Sequence, residues 1–157
     1  WDIAFVGTDG GIPRKFYLQA LRERYPNSSI GTAPHTQLGA IYGRARIGFN
    51  YSIAGDVNMR MFEILASGAL LLTNALPTDD LEQLGLRDGQ HVVLYRRPTE
   101  LFEKIEYFLA HDDKRQAIAH AGSQLVRERH TYTHRMEQLL YRAFETLGLP
   151  RLQGVAA

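Results

Sequence analysis

Short apolar runs alternate with stretches of helical periodicity along most of the chain. The runs IAFVG (3–7), SIGTA (29–33), RIGFNYS (46–52), LLLTN (70–74) and HVVLY (91–95) have the length and composition of strands buried on both faces. Between them apolar positions recur at helical spacing over 13–25, 36–43, 57–67 and, briefly, 79–84. The first of these helices begins at Pro13, which suits a first helical position, and stops before Pro26. Strands alternating with helices predict a parallel sheet covered on both faces, with each connection long enough for a right-handed crossover. After residue 95 the strands cease. Three helices are predicted instead, over 98–110, opened by Pro98-Thr99-Glu100, then 112–129 and 132–147, while Pro150 and residues 151–157 read as a frayed tail. The predicted fold class is α/β: one Rossmann-like three-layer domain over residues 1–150, with a mostly parallel sheet of about five strands and a helical C-terminal extension.

Composition narrows the function classes. A chain of 157 residues that is 45% hydrophobic and 22% charged can bury a sizeable single core. Its 18 basic and 17 acidic residues leave a net charge of +1, which gives no electrostatic footprint for nucleic acid or an anionic membrane. Any bound anion should therefore be small. The absence of Cys excludes disulfides and thiolate metal sites and fits a cytoplasmic protein. The longest apolar run, GALLLTNAL, falls far short of the roughly 20 residues of a spanning helix, so no membrane span is predicted. Trp1 runs directly into the first strand, the start expected of a chain cut at a domain boundary with another domain before it.

In sheets of this kind ligands bind beyond the carboxyl ends of the strands, at the switch point in strand order, which directs attention to the loops after strands 1, 3 and 4. The first strand–helix junction reads FVGTDGGIPRKF. Glycines followed by a helix start describe a turn whose backbone N–H groups can cradle an anion, and Arg14 and Lys15 put positive charge where the helix dipole disfavours it unless an anion is present. The same residues also suit a glycine-rich connector with solvated basic side chains. Neither G-x-G-x-x-G nor G-x-x-x-x-G-K-[ST] is present, which disfavours classical dinucleotide and P-loop binding. On the helix over 57–67, Asp56, Arg60, Glu63 and Ser67 fall within an arc of roughly 60°, and apolar residues cover the rest. So narrow a charged stripe on an apolar helix either lines a cleft or forms an i,i+3 surface pair worth a few tenths of a kcal/mol.

The run Asn58-Met59-Arg60-Met61-Phe62-Glu63-Ile64-Leu65-Ala66-Ser67-Gly68-Ala69, followed by LLLTN, resembles the donor-binding half of GT-B glycosyltransferases. Within these it looks most like the glycosyl transferases group 1 type that includes the CgeB-like proteins. The resemblance extends through Asp88-Gly89-Gln90-His91-Val92-Val93, the helix LFEKIEYFLAHDDKRQAIAHAG and His130-Thr131-Tyr132-Thr133-His134-Arg135, so it covers the chain from Val6 to about Leu147. It implies a C-terminal domain that binds a nucleotide-diphosphate sugar, with no metal or other cofactor, and a preceding N-terminal domain that binds the acceptor and supplies any catalytic base. Glu63 matches the Glu that accepts hydrogen bonds from the ribose hydroxyls. Gly7 matches the glycine-containing loop near the donor phosphates, and Arg14 and Arg60 become candidates to neutralise the diphosphate. Asn58, together with Asp56 and Ser67 of the helical stripe, completes the set of candidate donor-binding residues. The sequence departs from the family where many relatives carry a second Glu, eight residues before the ribose-binding one. Here that position is Gly55, with Asp56 beside it.

Other polar residues suggest less. His130 and His134 are spaced as helical zinc ligands can be, but no further ligand cluster accompanies them and Thr131-Tyr132-Thr133 suggests a helix break, which favours packing or capping. His111 and His120 read as surface or core-edge histidines. Tyr95, Arg96 and Arg97 either reach the cleft or form a solvated basic turn. Two alternatives to a working donor domain stand beside it: a degenerate GT-B half acting as an interaction module, and a CheY-like receiver. The receiver would need an Asp ending its third strand and a Lys after its fifth, where this chain has FNYS and Arg96-Arg97.

Overall fold

The computed structural model describes residues 1–148; the expected frayed tail lies outside the described residues. Five strands, β1 (Ile3–Val6), β2 (Ser28–Gly31), β3 (Ile47–Asn50), β4 (Leu70–Asn74) and β5 (Val93–Tyr95), form one sheet in the order β2-β1-β3-β4-β5. Every pairing is parallel, with Ile3 opposite both Ser28 and Ile47, Ile47 opposite Leu70, and Leu72 opposite Val93. The helices are α1 (Arg14–Arg24), α2 (Leu38–Gly43, preceded by a 3-10 turn at His35–Gln37), α3 (Met59–Ala66), α4 (Asp80–Gln83), α5 (Pro98–Ala110), α6 (Asp112–Arg129) and α7 (Tyr132–Leu147). This is the α/β Rossmann-like architecture expected, and the three C-terminal helices have the expected limits. The strand order is shared by flavodoxin-like proteins and receivers, so chemistry and not topology separates these classes.

The period-2 alternation of the strands divides the core in two. Ile3, Phe5, Ile47, Phe49, Leu70 and Leu72 pack on one face with Leu18 and Leu21 of α1 and with Leu101, Ile105 and Phe108 of α5. Ala4 and Leu71 face the other way, onto Tyr42 of α2, Met61, Ile64 and Leu65 of α3, Leu81 of α4 and Val126 of α6. Gly48 brings α3 down onto β3, since a Cβ there would collide with the Ile64 side chain. The edge strand β2 is half-buried throughout, whereas β3 is buried at all four positions.

Local chemistry sets the helix ends. Pro98 opens α5, and Glu100 accepts the backbone N–H of Arg96 at 2.7 Å. At the start of α6, Asp112 bonds Arg115 and pairs with Arg46, which also reaches Asp2 at the beginning of β1. A reciprocal capping box begins α7: His134 N–H donates to Thr131 Oγ1 at 3.4 Å, and the Thr131 N–H donates to His134 Nδ1 at 3.3 Å. No residue of α7 is buried, and its apolar Met136 and Leu139 face outward. Among the described residues no helix is long and apolar enough to cross a membrane.

Candidate functional site

After β1 the chain crosses to β2, and after β3 it crosses the other way to β4, so the loops at the carboxyl ends of β1 and β3 diverge and leave a crevice. Arg60, in the first turn of α3, spans this switch point. Its Nε donates to the carbonyl of Val6 at 2.9 Å, its Nη1 donates to Asn50 Oδ1 at 3.1 Å, and its guanidinium lies 4.5 Å from the centroid of the Phe5 ring. Asn50 ends β3 fully buried and is held from behind by its Nδ2 bond to Thr73 Oγ1 at 2.9 Å. Gly7 makes room for this arrangement: its φ of 152° suits glycine, and a Cβ would collide with Arg60 Nη2.

Arg14 comes to the same place from the other side. Its guanidinium stands 5.7 Å from the Phe5 centroid, and its Nε donates to the Asp9 carbonyl at 3.2 Å. Burial and then the charge of Arg60 lower its proton affinity, partly opposed by Asp9. Two guanidinium groups thus share one aromatic ring, and among the described residues neither has a carboxylate within ion-pair distance. The glycine-rich turn is more self-contained than the sequence suggests. Pro13 precedes α1 instead of opening it, Lys15 N–H bonds the Gly11 carbonyl, and Phe16 and Tyr17 N–H groups turn back on Pro13. Arg14 and Arg60 add side-chain positive charge beside this turn.

Tyr42 supports the crevice from α2. Its hydroxyl accepts the Val6 N–H at 3.0 Å, and burial raises its pKa despite the nearby Arg60. One turn along α3 from Arg60, Glu63 has a side chain only 24% exposed, with Oε1 at 3.9 Å from His35 Nδ1. It opens onto a groove of about 380 Å³ between α3, the His35 turn and the α6–α7 junction. Met59, Phe62, Val126 and Tyr132 give the groove apolar walls, while Arg135 and His130 add polar groups. A larger depression, about 600 Å³, lies along α6 beside Gly68, ahead of β4 at the amino edge of the sheet.

The structure brings Gly7, Arg14 and Arg60 to one crevice, with Glu63 one turn further along α3 and Asn58 at the N-cap of that helix. Asn58 makes no capping bond, and its buried Oδ1 has no hydrogen-bond partner among the described residues. Two predicted site residues separate from this group. Ser67 is the C-cap of α3, its hydroxyl donating to the Glu63 carbonyl at 2.7 Å. It stands seven residues, or roughly 10 Å of helix, below Arg60, because so short a helix spans the height of the sheet. Asp56 precedes α3 and is not on its face; it accepts the Ser52 hydroxyl at 2.6 Å and braces the loop. The expected four-residue stripe therefore reduces to Arg60 and Glu63.

Sequence reasoning missed Asn50, Tyr42, His35 and Arg135. Only Asn50 carried a signal, as an amide ending an otherwise apolar strand. His130 and His134 belong to different helices, and His134 serves the capping box. His130 Nε2 faces the Leu84 carbonyl at 2.8 Å, its Nδ1 meets Arg135 Nη2 at 2.9 Å, and burial lowers its pKa. Tyr95 is buried, with its hydroxyl 3.4 Å from the Asn50 carbonyl, while Arg96 and Arg97 are exposed. His111 and His120 are exposed as well. Among the described residues no three His, Asp or Glu side chains converge as a metal site requires.

A parallel 2-1-3-4-5 sheet with two cations at its switch point and a carboxylate one turn along α3 places the candidate site where open α/β domains take their ligands. The chain belongs to the glycosyl transferase-like family, which it matches over residues 3–141. Among solved structures its fold is similar to that of the pneumococcal O-GlcNAc transferase GtfA, a GT-B glycosyltransferase, in complex with UDP and GlcNAc. The TM-score is 0.58 at 18% identity, over 93% of this chain and 29% of that one. The chain thus spans under a third of that neighbour's length. No curated protein is significantly similar in sequence.

Proposed function

We propose that this chain is the donor-binding domain of a glycosyltransferase, holding a nucleotide-diphosphate sugar whose sugar passes to an acceptor bound mainly by an N-terminal domain. The observation that carries the proposal is the pair Arg14 and Arg60, converging on Phe5 at the switch point without a carboxylate partner. Two positive charges held there are repelled by each other and relieved by a diphosphate. As the glycosidic bond breaks, negative charge grows on the leaving diphosphate, and preorganised guanidinium groups stabilise it at that moment, so no metal is needed. Glu63, an acceptor-only carboxylate, takes the ribose hydroxyls. The UDP complex of the structural neighbour supports a ligand of this class. We assign catalytic groups to the N-terminal domain and a cytoplasmic location to the enzyme.

Calorimetric titration with nucleoside diphosphates tests the proposal. Saturable binding is expected, with a preference for ribose over 2′-deoxyribose that Glu63→Ala abolishes; no binding across a panel of four bases would defeat it. The second reading, a degenerate half that serves as an interaction module, draws on Gly55. Its φ of 71° and the Pro77 ring, 3.0 Å from where a Cβ would stand, make a side chain strained and tightly fitted where the family resemblance implies a second acidic residue. Sugar transfer by a full-length protein would dispose of that reading.

A further inference from the structure

The diphosphate and ribose assignments leave the groove beyond Glu63 unexplained. Its volume of about 380 Å³ lies within the range of small-ligand sites, roughly 300–1,000 Å³. Glu63 lines it and Arg60 does not, so a nucleotide whose diphosphate meets Arg60 and whose ribose meets Glu63 has its base directed into it. Met59, Phe62 and Tyr132 offer the apolar surface a flat base needs, and Tyr132 closes one side, its hydroxyl 3.6 Å from the Met59 sulfur.

We infer that this groove takes the nucleobase and that Arg135 selects a base with a carbonyl oxygen at C4 of a pyrimidine or C6 of a purine, uracil or guanine, over one with an amino group at that position, cytosine or adenine. The inference rests on the nucleotide reading above. Arg135 is fixed by its Nη1 bond to Gln138 Oε1 at 3.0 Å and its Nη2 bond to His130 Nδ1 at 2.9 Å. The Leu84 carbonyl only accepts, so the His130 Nε2 facing it carries the ring proton and Nδ1 keeps the lone pair that Arg135 uses. Burial of His130 favours the same neutral form. Two of the five guanidinium N–H groups are thereby occupied, and Arg135 has no carboxylate in ion-pair reach among the described residues. A guanidinium offers donors alone. Facing O4 of uracil or O6 and N7 of guanine it is satisfied, whereas facing an amino group it leaves donors unpaired on both sides.

Titration of the full chain with UDP, GDP, CDP and ADP tests the assignment. UDP or GDP should bind about 5- to 150-fold more tightly than CDP and ADP, the range for one good bidentate contact. Arg135→Ala should bring all four within about twofold of the wild-type CDP affinity. Arg135→Lys, which keeps the charge but not the planar fork, should lose the preference too, and an unchanged melting temperature shows that either variant folds. Nucleotides that bind without base preference, or a preference that survives both substitutions, would overturn the role of Arg135 and leave the diphosphate and ribose assignments standing. Failure of every nucleotide to bind would remove both.

Discussion

Replacing Arg60 with Met keeps most of the apolar stem and deletes the guanidinium that ties β1 to β3. Two hydrogen bonds from a charged donor are lost, to the Val6 carbonyl and to Asn50 Oδ1, each worth about 1.5–3 kcal/mol where the partner is desolvated. The side-chain oxygen of Asn50, in a residue with no solvent exposure, loses this partner as well. Against this, a half-buried charge no longer has to be desolvated and the repulsion with Arg14 disappears. The net loss should be about 2–3 kcal/mol, or about 4–12 °C in Tm for a chain of this size. Urea unfolding of Arg60→Met, Asn50→Ala and the double variant closes a thermodynamic cycle in which the two sites should couple by more than about 0.5 kcal/mol. The ligand side is separable. Nucleoside diphosphate affinity should fall about 10- to 150-fold, with nucleoside affinity held within about twofold. A variant as stable as the wild type, or one that binds nucleoside and nucleoside diphosphate with equal losses, would refute this account of Arg60.

Gly7→Ala should act through Arg60, because the new methyl displaces Nη2 and the backbone is held at a φ suited to glycine. A destabilisation of about 1–3 kcal/mol together with weakened diphosphate binding is expected by urea melts and calorimetry, and unaffected binding would speak against the contact. Gly55→Glu, which introduces the acidic residue that the family resemblance implies there, should cost about 1–2 kcal/mol and give no gain in nucleotide-sugar affinity, since its left-handed backbone sits against Pro77; a tighter-binding, equally stable variant would contradict this. His130 has a folded-state pKa below its ordinary value of about 6.5, so the stability it lends is fully present above that pH and is lost as pH falls toward the folded value. Urea midpoints between pH 7.5 and 5.5 should therefore drop for the wild type and drop less for His130→Gln; superimposable pH profiles would show that His130 is not held neutral.

Periodicity alone determined the order of elements, the parallel sheet and the limits of α5, α6 and α7, because strands buried on both faces and amphipathic helices leave distinct one-dimensional patterns. It also singled out Arg60 and Glu63, two charges on a helix that otherwise reads as core. Strand order was a different matter. Which strands lie side by side depends on how crossovers pack, and only the fold put β1 beside β3 and so made Val6, Asn50 and Arg60 neighbours across 10 to 54 residues of chain. The same holds for the limits of α3: a helical wheel treats 56–67 as one continuous helix, whereas the folded helix starts at Met59 and carries Ser67 to the opposite edge of the sheet. The groove behind Glu63 has walls from the turn before α2, from α3 and from the α6–α7 junction, whose convergence is a property of packing with no periodic trace in sequence. Sequence could therefore name the charges set into an otherwise apolar helix, and tertiary structure alone decided what surrounds them.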